Sequence, residues 1–252
     1  MSLFSPKQDK DANRDPMPAF WRAWGQQETI VRHRGEPRRD LFREHPVWLA
    51  VMPLLLDDAA RPLRRVADMG SGTGIVAEHF ARLGYEVVAI EAAESRAEIA
   101  RRRLAPYPSA RVVVGDALNP PLEVGEVDAI VSRNLMWLLP DPPAAVQGWR
   151  NLLAPGGRVA ALDATWRLQR YRFSRFLPRK RGNTAPQTMT RPTPLSNTPT
   201  SEAAMQAWSQ AGLEQVRAVE LGWLSAVKDY RDPLRRMADR SRYYAVVGDV
   251  PA

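Results

Sequence analysis

Residues 67–74 read ADMGSGTG and place Gly70, Gly72 and Gly74 at alternate positions behind an acid, Asp68. Glycine puts no side chain between backbone and ligand and adopts conformations closed to other residues, so this spacing lets a loop come close to a bound molecule. Two phosphate-cradling patterns fail on spacing. A dinucleotide loop, G-x-G-x-x-G, would need a glycine where Ile75 stands, one position after Gly74. A P-loop needs Gly-Lys-Ser/Thr, and no lysine is near. The alternative is a tight strand-to-helix turn without a ligand, but a plain turn seldom needs three glycines behind an acid. Metal chemistry has little to work with. The chain has no cysteine, and its three histidines, His33, His45 and His79, are scattered, so no metal site is expected.

The glycines must be held by what surrounds them. RRVADMG is a short apolar strand running into the loop, and IVAEHFARLG is a helix ended by Gly84. YEVVAIE, ARVVVGDA, VDAIVSRN and RVAALDAT read as further strands. SRAEIARRRLA and DPPAAVQGWRNLLAPGG read as helices, the second capped by Asp141 and stopped by its Pro-Gly-Gly turn. EAAMQAWSQAGL is a late helix, and EQVRAVEL and RYYAVVGD are the last strands. Strands alternating with helices of about ten residues predict an α/β fold, a mostly parallel sheet with helices on both faces. Residues 1–18 are polar and read as a disordered arm, and residues 19–60 read as an N-terminal helical cap. Residues 61–252 then form the main domain, with an insertion at 167–201.

VADMGSGTG resembles motif I of the class I S-adenosylmethionine-dependent methyltransferases, hydrophobic-x-D/E-x-G-x-G-x-G. The later blocks follow in that family's order. Glu91 ends the second strand, 17 residues after Gly74, GDA ends the third at 115–117, and residues 127–166 are similar to the small-molecule, type 11-like branch. The resemblance spans roughly residues 60–166 and more weakly 202–249. It implies a Rossmann-like seven-stranded sheet and S-adenosyl-L-methionine as cofactor, with S-adenosyl-L-homocysteine as product. It also implies a set of cofactor contacts. Gly70, Ser71, Gly72 and Gly74 form the loop, and Asp68 organises it near the cofactor's amino group. Glu91, followed by Ala92, accepts the ribose hydroxyls. Asp116, Ala117 and Leu118 meet the adenine, and Ser132 lies between cofactor and substrate. For Glu91 the competing reading is a solvated strand-end carboxylate, and for Asp116 a loop cap.

The accepting molecule is less legible. Methyl transfer is an in-line displacement that depends on positioning and water exclusion, with a base required only if the nucleophile carries a proton. His45, in the expected cap beside Pro46, is the first candidate for that chemistry, against a surface or helix-capping role. Arg133 and Asn134, past the fourth strand, are the others. His33 and His79 read as solvated or packing residues. NPPL at 119–122 and DPPA from 141 do not match the D/N/S-P-P-aromatic motif of nucleic-acid amine methylases in position or composition.

Charge singles out one segment. The net charge is +8, and no acid lies between Asp163 and Glu202. That gap holds Arg167, Arg170, Arg172, Arg175, Arg179, Lys180, Arg181 and Arg191. Taking these eight from the 36 Lys and Arg leaves the rest of the chain neutral, with 28 basic and 28 acidic residues. The segment reads as a substrate lid, a surface binder for RNA or anionic membrane, or a solvated insertion. No stretch of about 18 apolar residues and no secretory leader is visible, so a cytoplasmic protein is expected. The expected partner is a small-molecule substrate, with a role in specialised natural-product metabolism. Nucleic acid is not the expected partner, an RNA methyltransferase or a non-catalytic cofactor-binding protein being the rival readings. The oligomeric state, with a homodimer as one option, stays open.

Overall fold

The computed structural model describes residues 46–56, 62–164, 195, 200–223 and 242–252. The arm at 1–18, most of the cap with His33 and His45, and the basic stretch 167–191 lie outside the described residues. The described elements are α1 (Pro46–Leu56), β1 (Arg65–Met69), α2 (Ile75–Arg82), β2 (Glu86–Glu91), α3 (Glu94–Leu104), β3 (Ala110–Val114) and β4 (Val127–Arg133). They continue with α4 (Pro142–Leu152), β5 (Leu153–Ala164), α5 (Ser201–Gln210), β6 (Glu214–Glu220) and β7 (Tyr243–Asp249).

Seven strands form one sheet in the order β3-β2-β1-β4-β5-β7-β6. The first five are parallel, and β7 runs antiparallel to both β5 and β6. The inner strands β2, β1, β4, β5 and β7 are mostly buried and largely apolar because both faces are covered, whereas the edge strands β3 and β6 are partly exposed. Alternate residues feed two cores. Val66, Ala129, Val131, Leu162 and Ala245 pack on one face with Met52, Leu56, Phe80 and Leu104 of α1, α2 and α3. Ala67, Met69, Ile130, Val159 and Val246 pack on the other with Trp149 of α4 and Trp208 of α5. α1 is apolar almost throughout and carries Pro53 inside it. Its Val51, Met52, Leu55 and Leu56 are buried, so this end of the expected cap region contributes to the core.

Asp141 does cap α4, accepting the Ala144 amide at 3.0 Å. The fifth strand differs from expectation. It begins at Leu153, directly after the helix, and takes the Pro-Gly-Gly segment into an irregularity. Leu153 pairs with Val127, and regular pairing resumes at Arg158 opposite Ala129. The chain can fold this tightly because a Cβ on Gly157 would meet Leu153 Cβ at 2.8 Å, the Ala154 carbonyl at 2.9 Å and the Asp128 carbonyl at 3.0 Å. Two of those neighbours are backbone and cannot swing aside. Gly157→Ala is therefore expected to lower stability by about 1–3 kcal/mol, read by thermal or urea unfolding. An unchanged midpoint would contradict this packing.

Candidate cofactor and substrate site

The site lies at the carboxyl ends of the parallel strands, where open α/β sheets bind ligands. The register brings its parts together. Asp68 pairs with Ala89 on one side and Val131 on the other, Met69 pairs with Ser132, and Glu91 pairs with Val114. Four strand ends thus present Asp68, Glu91, the 115–118 turn and Ser132 side by side.

The glycine loop is left-handed at all three glycines, with φ of 65° at Gly70, 60° at Gly72 and 79° at Gly74. The Ser71 amide ties it to the Ile90 carbonyl at 2.9 Å, and the Gly74 amide closes it on the Ser71 carbonyl at 2.9 Å. Glu91 is buried and bridges the glycine loop and the connection from β2 to α3. Its Oε2 accepts the Gly72 amide at 2.8 Å and its Oε1 the Ala93 amide at 2.9 Å. A solvated strand-end carboxylate would do neither. Each oxygen keeps a further lone pair for a ligand hydroxyl.

Asp68 is also buried, and its Oδ2 accepts the Ala77 amide at 3.1 Å. Burial pushes its pKa up to about 7. The Ala77 amide and the Arg133 guanidinium oppose that rise, and the Glu91 charge adds to it. Its affinity for a proton near neutrality shows how poorly solvated the charge is.

The 115–118 turn follows β3. The Gly115 amide donates to the Glu91 carbonyl at 3.1 Å. Asp116 Oδ1 accepts the Leu118 amide at 3.0 Å, so this carboxylate does cap its own turn, as the competing reading had it. Its second oxygen is left for a ligand contact, and Oδ1 keeps a further lone pair. Ala117 is fixed from below, its carbonyl accepting the Trp149 indole N–H at 2.6 Å.

On the β4 side, Ser132 is buried and its Oγ has no hydrogen-bond partner among the described residues. Asn134 follows with φ of 53°, an uncommon conformation for a non-glycine residue, and its buried Oδ1 is likewise unpaired. The backbone there is held by the Asn134 amide on the Leu162 carbonyl and by the Trp137 indole on the Asn134 carbonyl. Leu135 reaches back over the loop, its Cδ1 3.0 Å from where a Cβ on Gly70 would sit. Ala92 leads into α3. His79 lies on the second turn of α2, and His45 is outside the described residues.

One part of this edge escaped the sequence reading. Asp163 on β5 pairs with Tyr244 on β7, and both are buried. Asp163 Oδ1 accepts the Ala164 amide at 2.9 Å. Burial raises the Tyr244 pKa far above its ordinary value, and the charges of Asp163, Glu220 and Glu202 reinforce this, so the phenol stays protonated. A carboxylate closing the apolar run VAALDA was the available signal for Asp163.

The residues fit S-adenosylmethionine. Two buried acids complement a cation and a ribose, three glycines keep side chains out of the loop, and unpaired Ser and Asn oxygens line the adjoining strand. The comparisons agree. A family model described as "Methyltransferase domain" matches residues 67–161. The ubiquinone biosynthesis O-methyltransferase of Xanthomonas oryzae pv. oryzae is 32% identical over 126 residues, 49% of this chain and 51% of that one. The biotin biosynthesis bifunctional protein BioHC of Cellvibrio japonicus is 36% identical over 96 residues, 38% of this chain and 18% of that one. The chain thus spans about half or less of the curated relatives it matches. The geranyl diphosphate C-methyltransferase of Streptomyces coelicolor A3(2), solved with Mg2+, geranyl diphosphate and S-adenosyl-L-homocysteine, superposes with a TM-score of 0.62. It shares 15% identity, and the match covers 95% of this chain and 100% of that one. Residues 67–161 thus match a methyltransferase-domain model, and the sheet shares the fold of the solved methyltransferase. Among the described residues no group of His, Cys, Asp and Glu could hold a metal, and no helix is long and apolar enough to cross a membrane.

Proposed function

We propose that the protein transfers a methyl group from S-adenosylmethionine to an O, N or C centre of a small molecule of specialised metabolism. The observation that carries this is the pair of buried carboxylates, Asp68 and Glu91, both held on backbone amides around one glycine loop. Bound there, the cofactor would supply a methyl group on a sulfonium leaving group. Glu91 holds the ribose hydroxyls with the lone pairs that its two amide contacts leave open. Asp68 presents negative charge to the cationic amino-acid end, and Gly70 and Gly72 let the backbone close on it. The second oxygen of Asp116 takes the adenine amino group, with Ala117 and Leu118 packing beside it.

The acceptor belongs over β4 and β5. Ser132 and Asn134 offer oxygens that take a hydrogen bond from an O–H or N–H and so orient the nucleophile. Arg133 partly neutralises Asp68. Tyr244, held protonated, donates a hydrogen bond, and Asp163 accepts a proton where the nucleophile carries one. A small molecule is favoured because the curated relatives named for ubiquinone and biotin biosynthesis, and the geranyl diphosphate enzyme, carry small-molecule names. The test is incubation with methyl-labelled S-adenosylmethionine and a cell extract split into small-molecule and RNA fractions. Label in the small-molecule fraction is expected. Label confined to RNA would overturn the substrate class.

A further inference from the structure

The glycine loop is held from behind by one stripe of α3. Residues 96, 100 and 103 lie on one face of that helix, and each meets one part of the loop. A Cβ on Gly72 would lie 3.1 Å from Arg96 Nη2, and a Cβ on Gly74 would lie 3.0 Å from Ala100 Cβ. Arg103 reaches the residue between them. Its Nε donates to the Thr73 carbonyl at 2.8 Å, and its Nη1 donates to Glu78 Oε2 on α2 at 2.9 Å. The Arg103 and Glu78 side chains are only 16% and 18% exposed. One position earlier, Arg102 pairs with Glu98 on the same helix and is 76% exposed.

The Thr73 contact has a specific cause. α2 begins at Ile75 behind the left-handed Gly74, so the Ala77 amide is one of the first-turn donors that a helix leaves without an acceptor of its own, and the Thr73 carbonyl lies outside the helix. Here the Ala77 amide donates to Asp68. The next bond, from the Glu78 amide to the Gly74 carbonyl at 2.8 Å, is the ordinary helical one. Two charge-assisted bonds therefore satisfy groups on either side of Gly74 that the helix itself leaves over. The Asp68 carboxylate takes the amide, and the Arg103 guanidinium takes the carbonyl.

We propose that Arg103 is a positioning residue of the cofactor site: by tying the Thr73 carbonyl to Glu78 it fixes the loop between Gly72 and Gly74 against the first turn of α2, whose Ala77 amide holds Asp68. This rests on the reading of the site as one for S-adenosylmethionine. Without Arg103 the loop and the first turn of α2 lose this tie, and the Ala77 amide is held less firmly against Asp68, whose ionisation that hydrogen bond favours. Ligand affinity then falls, and its dependence on pH moves to higher pH.

The test is titration calorimetry of the full chain with S-adenosylhomocysteine and S-adenosylmethionine between pH 6 and 8.5, with thermal melts alongside. Arg103→Met keeps the apolar stem and removes the donors, so about tenfold weaker binding and an upward-shifted pH profile are expected. Arg103→Lys can reach only one of the two partners and should bind about threefold more weakly. Arg102→Met makes the same charge change on the exposed side and should stay within twofold of wild type. Wild-type affinity and pH profile in Arg103→Met would overturn the proposal, as would an equal loss in Arg102→Met. If Arg103→Met does not fold, wild-type binding by Arg103→Lys overturns it. Failure of the unaltered protein to bind either ligand would instead overturn the cofactor reading itself.

Discussion

Glu91→Ala is expected to weaken binding of S-adenosylhomocysteine by about 100-fold, roughly 2.7 kcal/mol. The magnitude follows from what the carboxylate holds. Its two oxygens accept the Gly72 and Ala93 amides, so truncation leaves two donors without their acceptors and frees the loop. A hydrogen bond to a charged group contributes about 1.5–3 kcal/mol, and an unsatisfied buried amide costs a similar amount. The proposed ribose contacts would be lost as well. Glu91→Gln separates these effects. It keeps the shape but turns an NH2 group toward one of the two amides, and about tenfold weaker binding is expected. Calorimetry checks both variants, and near wild-type affinity in Glu91→Ala would remove this residue from the cofactor site.

Asp68→Asn is expected to stabilise the protein at high pH, by an amount that disappears in acid. The Asp68 pKa is raised from its ordinary 3.8 to about 7 when folded, chiefly by burial. Below the unfolded value the group is protonated in both states and carries no penalty. Between the two values the unfolded chain is ionised while the folded one still holds its proton. Stability is therefore lost as pH rises through this window, and the loss is complete above the folded value. One pKa unit is about 1.36 kcal/mol, so the full loss is on the order of 4 kcal/mol. Asparagine can still accept the Ala77 amide but has no charge to bury. The stability difference between variant and wild type should grow from near zero at pH 4 to its maximum by about pH 8, as read by urea unfolding. A difference that does not change with pH would contradict the assignment. The same variant should bind S-adenosylmethionine less tightly, because the negative charge facing a cationic ligand is gone.

The two effects show what the sequence could convey. The glycine loop, Glu91 and Asp68 were legible because their spacing is local and their strands alternate regularly with helices. The sheet followed from the same rhythm, including the late strands that become β6 and β7. What could not be read depends on contacts between distant residues. Tyr244 meets Asp163 only because β7 turns antiparallel to β5, a pairing across about 80 positions that no local pattern encodes. Arg103 looked like one arginine in a run of three, and only the fold directs it at Thr73 while Arg102 faces solvent. The positive φ of Asn134 depends on the Leu162 and Trp137 contacts at the strand end. Asp116 shows the reverse difficulty. Its type and place suit a ligand contact, and the structure commits one oxygen to the Leu118 amide. The start of β5 was hidden because a Pro-Gly-Gly sequence normally ends a strand, whereas here Gly157 packs against the backbone of β4 and lets pairing resume.

The central claim is that the glycine loop and its two buried acids bind S-adenosylmethionine. Its most direct test is titration calorimetry of the purified protein with S-adenosylmethionine, S-adenosylhomocysteine and NAD. Micromolar binding of the first two and none of NAD is the predicted result. Binding of NAD, or of none of the three, would contradict it.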